Sequence, residues 1–339
     1  MKFMNGDGKP VLQIRDNFVA FDSEISKILP GDFRDWKFHR PLGISCAALQ
    51  FNDEEPVVWF SKTSAGEYAA KMNRVDIQNL VRYMEEAVSK GWVIVTWNGL
   101  GFDFDVLAEE SGLFEECRLL ALNHIDVMYH FFCITGYPLG LDKAAKGMGL
   151  EGKMQGMSGD LAPILWNKGE YETVIKYVSQ DVKTTIDIAK EVQNKGYVAW
   201  TSNSGKYKQI LFPDGLYPVY KATQVSSPNT DWIDTPMRRE DFFTWALEKH
   251  DKKNEVPPSE LSEDEINDQL CLTENIYDEI DVDFEGYPVE KQKQNPIMDV
   301  HNKTNGLFCT CPICRGEPNL DDEFKYLFDD VHENYLDDY

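Results

Sequence analysis

The stretch Phe18-Val-Ala-Phe-Asp22-Ser-Glu24 constrains this chain most. Its apolar residues form a short run of the kind that makes a buried strand, and the run ends in two carboxylates. Residues i and i+2 of a strand share a face, about 6–7 Å apart. Asp22 and Glu24 therefore project together at the strand's end. Two anions that close repel each other. A fold tolerates them when water solvates them or when a cation sits between them.

Two further carboxylates stand in defined settings. Trp92-Val-Ile-Val-Thr-Trp97 reads as a buried strand. Asn98-Gly99-Leu100-Gly101 is then a turn. Phe102-Asp103 opens a helical pattern continued by Val106 and Leu107, with Asp103 in its first turn. In the helical stretch from 171 to 193, Tyr177 and Asp181 are spaced i, i+4 and share one face.

Taken in order, Asp22-x-Glu24, Asn98-x-x-x-Phe102-Asp103 and Tyr177-x-x-x-Asp181 resemble the three motifs of the DEDD 3′–5′ exonucleases. The tyrosine is that of the DEDDy subtype, and Asn-Gly-Leu-Gly-Phe-Asp is similar to the family B polymerase form of the second motif. The resemblance spans residues 11–196. It implies a ribonuclease H-like α/β fold, with three antiparallel strands followed by βα units and flanking helices. It implies hydrolysis of phosphodiester bonds at single-stranded DNA or RNA 3′ ends with two divalent cations, Mg²⁺ or Mn²⁺. Asp22, Glu24 and Asp181 would hold the water-activating cation, Asp22 would bridge to the second, and Asp103 would support that one. Tyr177 would orient the attacking water or help to deprotonate it. Asn98 and Phe102 would support the turn and the substrate, Phe102 by stacking on it or by filling the core.

Charge bears on substrate and on organisation. The net charge is −24, but residues 251–339 hold 24 acids and only seven Lys or Arg, so most of the acidity belongs to the end of the chain. Phosphate contacts need Lys and Arg, so tight non-specific duplex binding is disfavoured and single-stranded ends are favoured. With no apolar leader after Met1 and no run near 18 apolar residues, the expectation is a soluble, cytoplasmic protein without membrane contact.

Three regions follow: a nuclease domain over 1–196, a hairpin–helix α+β extension over 197–250, and an acidic, partly disordered tail over 251–339. In the first, Val11–Arg15 with Asn17–Glu24, Leu42–Phe51 and Pro56–Phe60 read as strands, the last two joined by Asn52-Asp-Glu-Glu. Asn73–Lys90 is a helix on Ile77, Leu80, Val81, Met84 and Val88. A strand reached through that helix runs parallel to its neighbour. Lys27–Pro41 reads as a long connection, either beside a substrate cleft or a plain loop. In the second region, Lys208–Phe212 and Tyr217–Gln224 flank the turn signal Pro213-Asp-Gly. Lys206, Lys208, Lys221, Arg238 and Arg239 mingle there with Trp200, Tyr207, Tyr220 and Trp232. That mixture suits single-stranded nucleic acid, and it equally suits a hairpin whose rings pack on the nuclease domain.

Three signals point elsewhere. Gly147-Met-Gly149-Leu-Glu-Gly152-Lys153 matches two phosphate-loop patterns. It lacks the preceding strand and the Ser or Thr after the lysine, so Gly147 reads as a helix cap and Lys153 as a residue within reach of a phosphate backbone. His124, Asp126 and His130 have metal-ligand chemistry but read as core polar groups. Cys309, Cys311 and Cys314, with Cys271 or His301, could close a structural Zn²⁺ site. Cys46, Cys117 and Cys133 read as buried thiols. The tail could recruit a replication or repair partner, and the class alternative to an enzyme is a nucleic-acid-binding or scaffold module on the same fold.

Overall fold

The computed structural model describes residues 17–30 and 36–247. The expected strand Val11–Arg15, the tail and its cysteines lie outside them.

Strand β1 (Phe18–Ile25) is buried along its whole length. Strands β2 (Ile44–Phe51) and β3 (Val57–Trp59) follow in antiparallel succession. Helix α1 (Arg74–Ser89) then crosses over; the Asn73 side chain accepts from the Asp76 amide and caps it. Ile77, Leu80, Val81 and Met84 face the core as their spacing predicts. Val88 instead faces outward, and Ala87 takes the last buried position. Strand β4 (Val93–Thr96) lies parallel to β1 on its other side.

Helices α2 (Asp103–Ser111) and α3 (Phe114–Asn123) lead to the two-residue strand β5 (Ile125–Asp126), parallel to β4. The sheet order is β3-β2-β1-β4-β5. Helices α4 (Val127–Thr135), α5 (Leu141–Met148) and α6 (Leu161–Asn167) precede the long helix α7 (Tyr171–Lys195). That helix packs across β1, β2 and β4 and presents Val174, Val178, Val182 and Ile186 to them. β1 is thus the central strand, paired on both sides and covered by α7, so its two carboxylates are held in place by every layer.

The extension differs from its expected pairing. Strand β6 (Tyr197–Thr201) pairs with β7 (Tyr207–Leu211) about the turn at Asn203–Lys206, where Gly205 has φ +83°. Pro213-Asp-Gly ends β7, and Tyr217–Gln224 contains the helical turn α8 (Val219–Ala222). A second short helix, α9 (Thr244–Leu247), follows a 3₁₀ turn at Arg239–Phe242. Arg239 is not a surface cation: its guanidinium donates to the carbonyls of Cys133, Thr223, Val225 and Ser226, which ties the extension to α4.

Candidate active site

The alternation of β1 delivers Asp22 and Glu24 to one face, and α7 delivers Asp181 opposite them. One oxygen from each of the three lies within 4.8 Å of the others, and all three residues are buried. Asp22 Oδ2 has no hydrogen-bond partner among the described residues. Burial, with the charges of Asp103 and Asp181 nearby, holds the Asp22 carboxyl well above the usual range, against the Lys153 cation. Burial also raises Asp181, again opposed by Lys153.

Asp103 is near enough for its charge to raise Asp22, but its oxygens are not among the three that converge. Ser23, facing the other way between Asp22 and Glu24, donates its amide (2.9 Å) and its hydroxyl (2.5 Å) to Asp103 Oδ1. Asp103 Oδ2 has no hydrogen-bond partner among the described residues. Burial raises the Asp103 carboxyl and the Ser23 hydrogen bonds oppose it.

The turn that places Asp103 is tightly specified. Asn98 takes φ +71°, a left-handed conformation that asparagine tolerates. A Cβ at Gly99 would lie 2.5 Å from the Thr96 hydroxyl, and one at Gly101 would lie 2.8 Å from Asn98 Oδ1. Asn98 is buried, with its Nδ2 lacking a hydrogen-bond partner among the described residues. Phe102 is 0 % exposed and meets Trp36 edge-on at 4.8 Å.

Tyr177 is one helical turn before Asp181 and fully buried. Its hydroxyl oxygen accepts from Lys153 Nζ at 2.9 Å, and the same ammonium lies 2.7 Å from Asp181 Oδ2. Lys153 therefore faces inward to the carboxylates. The glycine pattern before it has a packing explanation. Helix α5 runs through Gly147, where a Cβ would collide with the Ala199 carbonyl of β6 at 2.1 Å. Gly149, at φ +80°, is the actual cap. A Cβ at Gly152 would strike Asp142 Oδ1, which accepts the Lys153 amide at 2.9 Å. Asp142 thus pins the loop that turns Lys153 into the site. Ser23 and Lys153 are the two contributors that motif reading undervalues.

The other polar candidates are structural. Asp126 accepts from the amides of Asn98, Leu100 and Tyr129 and so fastens the second motif's turn to α4. His124 bonds the Thr96 hydroxyl and the Ala121 carbonyl, and His130 Nδ1 accepts the Tyr217 amide. Cys46, Cys117 and Cys133 are buried.

A sequence model described as the RNase_H superfamily matches residues 57–193. The architecture is ribonuclease H-like. The match includes the second and third motifs and begins after the strand that carries Asp22 and Glu24. No curated protein sequence matches the chain. Among solved structures, the family B DNA polymerase from the hyperthermophilic archaeon Pyrobaculum calidifontis is similar at 20% identity and a TM-score of 0.38. That similarity covers 52% of this chain and 24% of the polymerase, so the chain spans about a quarter of that protein's length. No helix among the described residues is long and apolar enough to cross a membrane.

Proposed function

We propose that the chain is a metal-dependent 3′–5′ exonuclease of the DEDDy type, acting on single-stranded nucleic-acid ends. The observation that carries this reading is the buried convergence of Asp22, Glu24 and Asp181, with Asp22 Oδ2 lacking a donor among the described residues. Three anions brought together away from water are costly unless a cation neutralises them. The donor set is entirely oxygen, which suits Mg²⁺ or Mn²⁺. Asp22, Glu24 and Asp181 would hold the first cation, and Asp22 with Asp103 a second. Bound there, the cations acidify a water and neutralise charge on the scissile phosphate.

The chain's own groups supply orientation. Ser23 fixes the Asp103 rotamer against β1. Lys153 locks Tyr177 and Asp181 to one another. Its ammonium also adds positive charge where a phosphate would approach. The Tyr177 hydroxyl, tied to Asp181 through Lys153, would orient the attacking water. A protonated phenol cannot take up water's proton, so orientation is its larger contribution.

The test is degradation of a 5′-labelled single-stranded DNA and its RNA twin with Mg²⁺ or Mn²⁺, and then with EDTA. The expected result is a cation-dependent ladder shortening from the 3′ end, absent in Asp22→Ala and Asp181→Ala. The stronger substrate of the two names the sugar preference. A chain that cuts neither strand with either cation is not this enzyme.

A further inference from the structure

A second site lies on the extension. The end of α4, the β6–β7 hairpin and the loop at Trp232 line an open cleft of about 380 Å³, within the roughly 300–1,000 Å³ of ligand pockets. Its walls are Tyr137, Trp200 and Trp232, with Thr135, Lys208, Gln209 and Ile210 completing the lining.

The walls are fixed in place. Trp200 meets Phe131 edge-on at 5.2 Å and Tyr137 at 6.4 Å. Trp232 meets Tyr137 at 5.9 Å, and its indole N–H donates to the Asn229 carbonyl at 3.0 Å. The loop before Trp232 packs on Gly136, where a Cβ would lie 2.4 Å from a Thr230 methyl. The cleft also shares its frame with the carboxylate site. The Trp97 indole, next to Asn98, donates to the Leu139 carbonyl two residues beyond Tyr137. Gly147 lets the backbone of Trp200 sit against the helix that leads to Lys153.

Charge selects the guest. Lys208 is the one charged residue among those that line the cleft; Asp231 and Asp234 flank Trp232 in sequence but are not in the lining. An ammonium guest, the usual occupant of an aromatic cage, would meet Lys208 and be repelled. A purely apolar guest would use neither Lys208 nor the Gln209 amide. A nucleotide uses all three features: rings for its base, an amide for its base edge and a lysine for its phosphate. We propose that this cleft seats one unpaired base of a single strand, as a site separate from the carboxylates. The proposal rests on the nuclease reading for its substrate class.

The experiment uses the full chain in EDTA, so that nothing is cut. Fluorescein-labelled ten-thymidine strand and a ten-unit abasic strand with the same phosphates are titrated by fluorescence anisotropy. Stacking is worth about 1–3 kcal/mol per base, or roughly fivefold to a hundredfold in affinity. The parent should prefer the base-bearing strand by at least fivefold, and that strand alone should quench tryptophan emission. Trp232→Ala should bring the preference close to unity while abasic binding stays unchanged, and Trp232→Phe should return most of it. Lys208→Glu, on the cleft rim, should weaken both strands together. A parent without preference overturns the proposal, as does a preference that survives in Trp232→Ala or binding that Lys208→Glu leaves intact. Mg²⁺-dependent shortening of the same strand by parent and Asp22→Ala scores the nuclease reading separately. The cleft can fail while that dependence stands, and the base preference can stand in a chain that cuts nothing.

Discussion

Asp22 lies within β1 and Asp126 ends β5, two buried strands of one sheet, and neither residue reaches bulk water. They differ in what their oxygens meet. Asp126 accepts three backbone amides, at 2.9, 3.0 and 2.9 Å, and both of its oxygens are used. Asp22 keeps an oxygen with no hydrogen-bond partner among the described residues and shares its space with Glu24 and Asp181. A carboxylate saturated by amides is a structural tie; one left unsaturated among its own kind is a candidate ligand. Burial alone separates nothing here, and hydrogen-bond accounting does.

The sharpest way to break that contrast is to remove each carboxylate in turn. Asp22→Ala is expected to lower exonuclease rate by about a thousandfold or more, since losing a cation ligand takes several kcal/mol from the transition state. Its folding stability in EDTA should hold or rise, because an unsatisfied buried anion is gone. Asp126→Ala should do the reverse. Three amides lose their acceptor, at about 1–3 kcal/mol each, so a loss of at least about 3 kcal/mol is expected in urea unfolding. Equal destabilisation by the two variants would dissolve the distinction.

The residues on either side of this divide were not equally legible. Asp22, Glu24, Tyr177 and Asp181 sit in regular elements whose periods of 2 and 3.6 announce a shared face, and the sheet order follows from the same patterns. Asp103 is carried by a turn with glycines where side chains would clash. Lys153 is different. It lies in a loop after α5, and what aims it is Asp142, eleven residues earlier, a tertiary contact with no period. The hairpin fails for a related reason. Pro213-Asp-Gly is the stronger local turn signal, yet β6 follows directly from Gly196 and closes on β7 about Gly205. Pairing is decided by what Trp200 packs against, namely Phe131 and Tyr137, and local turn chemistry carries none of that. Helix α3 escapes notice because only Cys117, Leu120 and Ala121 of its ten residues are buried.

Asp103 is the intermediate case and tests whether the divide is graded. Its Oδ1 is saturated by Ser23 like an Asp126 oxygen, and its Oδ2, like that of Asp22, lacks a partner among the described residues. Asp103→Asn keeps an acceptor for Ser23 and replaces only the second oxygen. Stability within about 1 kcal/mol of the parent is expected, with a rate lower by about tenfold to a hundredfold. A large loss of stability would class Asp103 with Asp126 instead.

The smallest effect extends the same accounting to a buried base. His130 is buried, stacks on Tyr217 at 5.0 Å, and accepts the Tyr217 amide on Nδ1, which requires the neutral ring. Burial, helped by the Lys221 cation, lowers its pKa to about 4. The unfolded chain holds its proton up to an ordinary pKa of about 6.5. Between those values the unfolded state binds the proton and the folded state does not, so stability rises with pH and is lost as pH falls toward 4. Asp126, raised to about 6 by burial, and His124, lowered to about 3 by burial, titrate nearby, but they are common to parent and variant. Subtracting the unfolding free energy of His130→Gln from that of the parent therefore isolates the imidazole. The parent's advantage should shrink by about 1–2 kcal/mol between pH 7 and pH 5, at no more than about 1.4 kcal/mol per pH unit. A difference flat with pH would mean that the ring takes up its proton in place, and that a satisfied acceptor does not commit a buried group as firmly as Asp126 suggests.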